Sequence, residues 1–187
     1  MKVIFLDIEG VLNTKETYER VYRTRGYTTM IDSEIDNFRL DYLKIIIERT
    51  DAKIVLSSSF RYFFDRKDDK LYPTTLKGEK LYDKFKRHGI EIYDITPINM
   101  NSREKQIEEW LSNRNDIESF VIIDDDSTVF VELYDNLIHT SNIRQNYLSS
   151  FLSESTGLCE RHIDEVTDKL NGKTREFKKS FWQQTKN

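Results

Sequence analysis

Lys2-Val3-Ile4-Phe5-Leu6-Asp7-Ile8-Glu9-Gly10-Val11-Leu12-Asn13 is the stretch whose reading decides the fold. Its apolar run is rich in β-branched and aromatic side chains, the pattern of a strand buried on both faces of a parallel sheet. A carboxylate follows at once, a second comes two positions later, and then a glycine. Open α/β sheets bind ligands at the carboxyl ends of their strands, so Asp7 and Glu9 are expected to project into a crevice. Taken alone the stretch also fits an acidic turn after a core strand, and the rest of the chain has to decide.

Working outward, the same strand pattern returns four times. Lys53-Ile54-Val55-Leu56 runs directly into Ser57-Ser58-Ser59-Phe60-Arg61, and Phe120-Val121-Ile122-Ile123 ends in Asp124-Asp125-Asp126. Ile90-Glu91-Ile92-Tyr93 alternates, which suits a position nearer the sheet edge, and Leu137-Ile138-His139-Thr140 completes the set. Helical spacing appears between them. Ile35, Phe38, Tyr42, Leu43, Ile46 and Ile47 predict one helix, capped by Asp32 or Ser33. Leu81, Tyr82 and Phe85 predict another over Glu79 to His88, stopped by Gly89. Asn101-x-x-Glu104 resembles a capping box opening a helix with Ile107, Trp110 and Leu111 on its apolar face. Ile163, Val166 and Leu170 mark a last helix before Gly172. Strands alternating with helices imply a three-layer α/β fold with a mostly parallel five-stranded sheet.

Composition narrows the function classes. The 187 residues suit one domain, expected over 1–172, with a basic tail or terminal helix over 173–187. A charged fraction of 33% and a mean hydropathy of -0.66 describe a polar surface, yet eleven Phe, ten Tyr and two Trp argue against disorder. Cys159 is the sole cysteine, which excludes an intrachain disulfide and a cysteine-based zinc site and points to a reducing, cytoplasmic compartment. No apolar run approaches the ~18 residues of a membrane span, so no membrane association is expected. A net charge of -4 argues against a uniformly basic nucleic-acid-coating surface. Locally the balance differs: Lys173, Arg175, Lys178, Lys179 and Lys186 face only Glu176, and Arg20, Arg23 and Arg25 alternate with Tyr18, Tyr22 and Tyr27. Rings beside guanidinium groups suit base stacking and phosphate contact, and suit an ordinary surface helix or hairpin equally.

Taken together, Asp7-x-Glu9-Gly10-Val11, the strand-terminal serines and Ile122-Ile123-Asp124-Asp125-Asp126 resemble motifs I, II and IV of the haloacid dehalogenase (HAD) superfamily. Within it, the set most resembles the HAD domain of multi-enzyme RNA repair proteins and, more loosely, the phosphatase half of polynucleotide kinase/phosphatases. The resemblance implies a Rossmann-like HAD fold in which residues 14–30 form a flap over the site, and the motif spacing leaves no room for a large cap. It implies a phosphatase with Asp7 as nucleophile and Glu9 as general acid and base. Ser57 or Ser58 would hold the phosphate, Arg103 or Lys105 would supply the motif III charge, and Arg61 and Gly10 would add substrate contacts. Mg²⁺ would be held by Asp7, the Glu9 backbone carbonyl, Asp124 and Asp125, and three adjacent carboxylates independently suit a hard cation.

Glu9 departs from the usual aspartate. Its extra methylene moves the carboxyl by roughly one to two ångström, and misplacement on that scale costs about 10²-fold in rate unless the pocket fits it. Enolase-phosphatase-type members of the superfamily carry Asp-x-Glu-Gly in the same place, so the resemblance still implies activity. The expected substrate is a phosphorylated nucleotide or a single-stranded nucleic-acid end. A small-metabolite phosphatase and a non-catalytic phosphate- or protein-binding module are the other two readings.

Overall fold

The computed structural model describes residues 1–25, 35–68, 70–98, 102–141 and 156–172. Among the described residues, strands β1 (Lys2–Leu6), β2 (Lys53–Leu56), β3 (Phe64–Lys67), β4 (Lys70–Pro73), β5 (Ile92–Ile95), β6 (Ser119–Asp124) and β7 (Leu137–His139) accompany five α-helices. These are α1 (Lys15–Arg25), α2 (Asn37–Thr50), α3 (Leu76–Arg87), α4 (Arg103–Ser112) and α5 (Arg161–Asn171). Five strands pair in the order β5-β2-β1-β6-β7, and every pairing is parallel. The chain winds outward from β1 through β2 to β5, then crosses back to β6. That reversal puts a topological switch point, the usual ligand crevice of such sheets, between β1 and β6.

Strand alternation sorts the core into two faces. Ile4, Leu6, Ile54, Leu56, Val121 and Ile123 pack with Leu40, Leu43 and Ile46 of α2, Leu81 and Phe85 of α3, and Ile163, Val166 and Leu170 of α5. Val3, Phe5, Val55, Phe120 and Ile122 pack with Ile107, Trp110 and Leu111 of α4. Phe5 meets Trp110 edge to face at 5.3 Å and Phe120 likewise at 5.8 Å. The two-residue period that sends Val3 and Phe5 toward α4 sends Asp7 the same way, as Phe120 and Ile122 do for Asp124. The sequence pattern itself therefore aims both acids at the beginning of α4.

Several boundaries differ from expectation for identifiable reasons. The polar stretch before Pro73 forms the antiparallel hairpin β3–β4, whose two short strands bury only Phe64 and so leave no apolar run in the sequence. Residue 36 stands at the N-cap of α2, with Ile35 ahead of it, while positions 32 and 33 lie outside the described residues. Phe38 is exposed. Thr75 caps α3 three residues earlier than expected, its hydroxyl accepting from the Gly78 backbone N–H at 3.1 Å. Strand β5 takes the expected edge position but is shifted to Ile92–Ile95. Residue 101 lies outside the described residues, and Ser102 is the N-cap of α4. Glu104 Oε1 accepts from the backbone N–H groups of Val131 and Leu133, both at 2.8 Å.

Of the expected flap, residues 15–25 form α1 and 26–30 lie outside the described residues, as does the 173–187 tail. Among the described residues no helix is long and apolar enough to cross a membrane. No cap of domain size is present among them either.

Candidate active site

Register builds the site. Leu6 pairs with Leu56 on one side and Ile123 on the other, so Ser57 and Asp124 flank Asp7 in one row. The ladder continues past the strand ends: the Asp7 N–H donates to the Ile123 carbonyl and the Ser57 N–H to the Leu6 carbonyl, both at 3.0 Å. Side chains at the ends of three neighbouring strands are thereby held by backbone bonds.

Asp7, Asp124 and Asp125 each offer a carboxylate oxygen within 4.8 Å of the others. Asp7 and Asp124 are buried. Arg103, the first residue of α4, bridges them through Nη1, at 2.9 Å from Asp7 Oδ2 and 2.5 Å from Asp124 Oδ2. The other Asp7 oxygen accepts the Ile8 N–H at 2.8 Å, so both oxygens are held.

One guanidinium does not neutralise three acids. Burial, then repulsion from Asp124, pushes the Asp7 carboxyl up to about 7 despite Arg103. Burial and Asp124 push Asp125 up to about 6, and burial raises Asp124 as well. On Arg103 burial works against the charged form, but Asp7 and Asp124 outweigh it and hold the guanidinium firmly protonated. Three hard oxygen donors with residual negative charge fit Mg²⁺.

Gly10 makes this packing possible. Its φ is +72°, and a Cβ there would lie 2.0 Å from Asp125 Oδ2, so a side chain would expel Asp125 as well as strain the backbone. The Gly10 carbonyl accepts from Thr140 at 3.1 Å, and His139 bonds the Asp125 carbonyl at 2.8 Å, fixing the loop from β7.

The three serines divide. Ser57 is fully buried and its Oγ has no partner among the described residues, an arrangement that leaves a donor for a ligand. Ser58 Oγ is occupied, accepting the Phe60 N–H at 3.0 Å at the start of the 3₁₀ helix Ser59–Phe63. Ser59, which the sequence reading left without a role, donates to Glu9 Oε2 at 3.2 Å. A run of identical residues carries no signal separating these tasks; only the turn into the 3₁₀ helix does.

Arg61 is buried against the same corner, with Nη1 on the carbonyls of Ser57 and Ser58 at 3.2 and 2.7 Å. Lys105 is exposed on α4, where its charge acts on Glu108, while Arg103 holds the acids. Glu9 is exposed at the rim; burial, and then the Glu9 charge, raises the Tyr18 hydroxyl. The other basic residues expected over the crevice are engaged with acids: Arg20 bonds Asp36, and Arg23 stands 3.8 Å from Glu19. Nothing described concerns the side chain of residue 25.

A doubly wound parallel sheet with an acid cluster at its switch point and an arginine from the facing helix is a Rossmann-like arrangement of the HAD type. The family model for the HAD domain in Swiss Army Knife RNA repair proteins matches residues 3–148, and the chain belongs to this family. Comparison with curated proteins and with solved structures gave no match.

Proposed function

We propose that this chain is a Mg²⁺-dependent phosphomonoester hydrolase working through an aspartyl-phosphate on Asp7, with residues 1–172 as its catalytic domain. The observation that carries the reading is Asp7 flanked by Asp124 and Asp125 with Arg103 across them. Asp7, Asp124, Asp125 and the Glu9 carbonyl would hold Mg²⁺, which supplies the positive charge that lets a carboxylate approach an anionic phosphate.

An Asp7 oxygen attacks phosphorus, forming the O–P bond as the bond to the leaving oxygen breaks, and Glu9 gives that oxygen its proton. Glu9 then takes a proton from water, whose oxygen attacks phosphorus, breaks the Asp7 ester and releases inorganic phosphate. Arg103 and the Ser57 hydroxyl bind the charge that develops on the phosphoryl oxygens. Ser59 keeps the longer Glu9 side chain from wandering.

The family points to a phosphorylated nucleotide or nucleic-acid end as substrate, and the absence of a domain-sized cap among the described residues leaves room for one. The test is purified protein with Mg²⁺ against an aryl phosphate, sugar phosphates, mononucleotides and short oligonucleotides at several salt concentrations. Hydrolysis abolished by EDTA and by Asp7→Asn is expected, with kcat/KM rising from mononucleotide to oligonucleotide and that gain shrinking with salt. A sugar phosphate preferred at every salt concentration would replace the nucleic-acid reading with a small-metabolite phosphatase. Full activity of Asp7→Asn would remove the covalent mechanism.

A further inference from the structure

Arg61 and Tyr62 sit side by side in the 3₁₀ helix that follows β2, one buried and one out in solvent. Arg61 is 6% exposed and tied to two backbone carbonyls, whereas Tyr62 is 51% exposed. The guanidinium carbon of Arg61 lies 4.8 Å from the centroid of the Tyr62 ring, and Arg61 Nη2 donates to the Tyr62 hydroxyl at 3.4 Å. One face of the ring is therefore backed by a cation that the backbone holds still. A surface tyrosine with a fixed backing has lost much of its rotational freedom before any ligand arrives, which lowers the cost of stacking on it.

Placement separates this ring from Phe38 and Tyr72, two other exposed aromatics. Phe38 is also backed by an arginine, at 4.8 Å, but that arginine is Arg39, committed to Asp36 and to the carbonyls of Thr156 and Leu158. Tyr72 is half-exposed on the hairpin with its hydroxyl on Asp65. Arg61 instead is bonded through Nη1 to the carbonyls of Ser57 and Ser58, and Ser57 stands beside Asp7 in the row at the strand ends, so the Tyr62 ring is anchored to the margin of the candidate site.

Resting on the phosphatase reading above, we infer that Tyr62 is the stacking platform for the base of the nucleotide whose terminal phosphate meets Asp7. Stacking needs only a π-face, so the platform accepts any base and selects nucleotides over phosphates lacking an aromatic group. Arg61 polarises the ring from behind and anchors it.

The experiment compares adenosine 3'- and 5'-monophosphate with glycerol phosphate in wild type, Tyr62→Ala and Tyr62→Phe. The ratio of kcat/KM for the better adenosine nucleotide to that for glycerol phosphate is expected to fall on the order of 10-fold in Tyr62→Ala, chiefly through KM, and to be kept in Tyr62→Phe. An unchanged ratio in Tyr62→Ala overturns the platform, because loss of a merely supporting contact to Arg61 lowers both substrates together. Equilibrium binding of the same nucleotides to Asp7→Asn and Asp7→Asn/Tyr62→Ala separates this failure from failure of the phosphatase reading. Weaker nucleotide binding in the double variant supports the platform even if no phosphate is hydrolysed, and equal binding overturns it.

Discussion

At Asp36 one buried carboxylate faces two guanidinium groups, whereas at the ends of β1 and β6 three carboxylates share one. Asp36 accepts from the Thr17 hydroxyl at 2.7 Å, from Arg39 at 3.1 Å and from Arg20, which together pin α1 to α2. Asp94 on the edge strand is served as fully, by the Trp110 indole at 2.8 Å, Arg114 at 2.5 Å and Arg66 at 3.1 Å. The fold thus supplies buried acids with cations where it needs only structure. Where it withholds them, Asp7, Asp124 and Asp125 share one guanidinium, and the proposed Mg²⁺ site rests on that deficit.

The largest effect should come from the cation-poor side. Asp7→Asn is expected to lower aryl phosphate turnover by at least about 10³-fold while leaving the cation-free protein as stable as wild type or more so, since it removes repulsion. Asp36→Ala should do the reverse. It strands Arg39, which is 4% exposed, and should cost about 3–5 kcal/mol by urea denaturation. Equal destabilisation by the two substitutions would erase the contrast.

The pH dependence sharpens it. Folding raises Asp7 from 3.8 to about 7, so the fold favours its protonated form; that contribution is complete below about pH 4 and is lost as pH rises through 7. Cation-free wild type should therefore lose thermal stability relative to Asp7→Asn between these limits, and saturating Mg²⁺ should cancel the loss. Burial holds His162 down at about 4, which gives the opposite slope below 6.5 and makes comparison at matched pH necessary.

Smaller effects test the rim. Ser59→Ala frees the Glu9 carboxyl and should slow alkyl phosphates about 10-fold, aryl phosphates less, because poor leaving groups need the proton most. Ser59→Thr should restore the rate; equal losses for both substrate types would limit Ser59 to a structural role. Lys105→Ala should change kcat/KM less than about twofold, and a larger loss would reopen the choice between Lys105 and Arg103.

Much of this was legible because strands buried on both faces leave unbroken apolar runs, and the acids at their ends then stand out. The motif resemblance brought Asp7 and Asp124 into one site, and the two-residue period of β1 and β6 is what carries both to the same face in the structure. The hairpin β3–β4 escaped because its strands are four residues each and bury only Phe64, leaving no apolar run to read. The division of labour among Ser57, Ser58 and Ser59 escaped because it depends on where a 3₁₀ turn begins. The engagement of Arg20 with Asp36 is a tertiary contact sixteen residues apart, invisible to any local pattern.

Calorimetric titration of Mg²⁺ into wild type, Asp124→Asn and Asp94→Asn at pH 8 tests the charge-deficit account most directly. One saturable site in wild type, abolished in Asp124→Asn and retained by folded Asp94→Asn, is the predicted result. Binding that survives Asp124→Asn unchanged, or no binding in wild type, would contradict it.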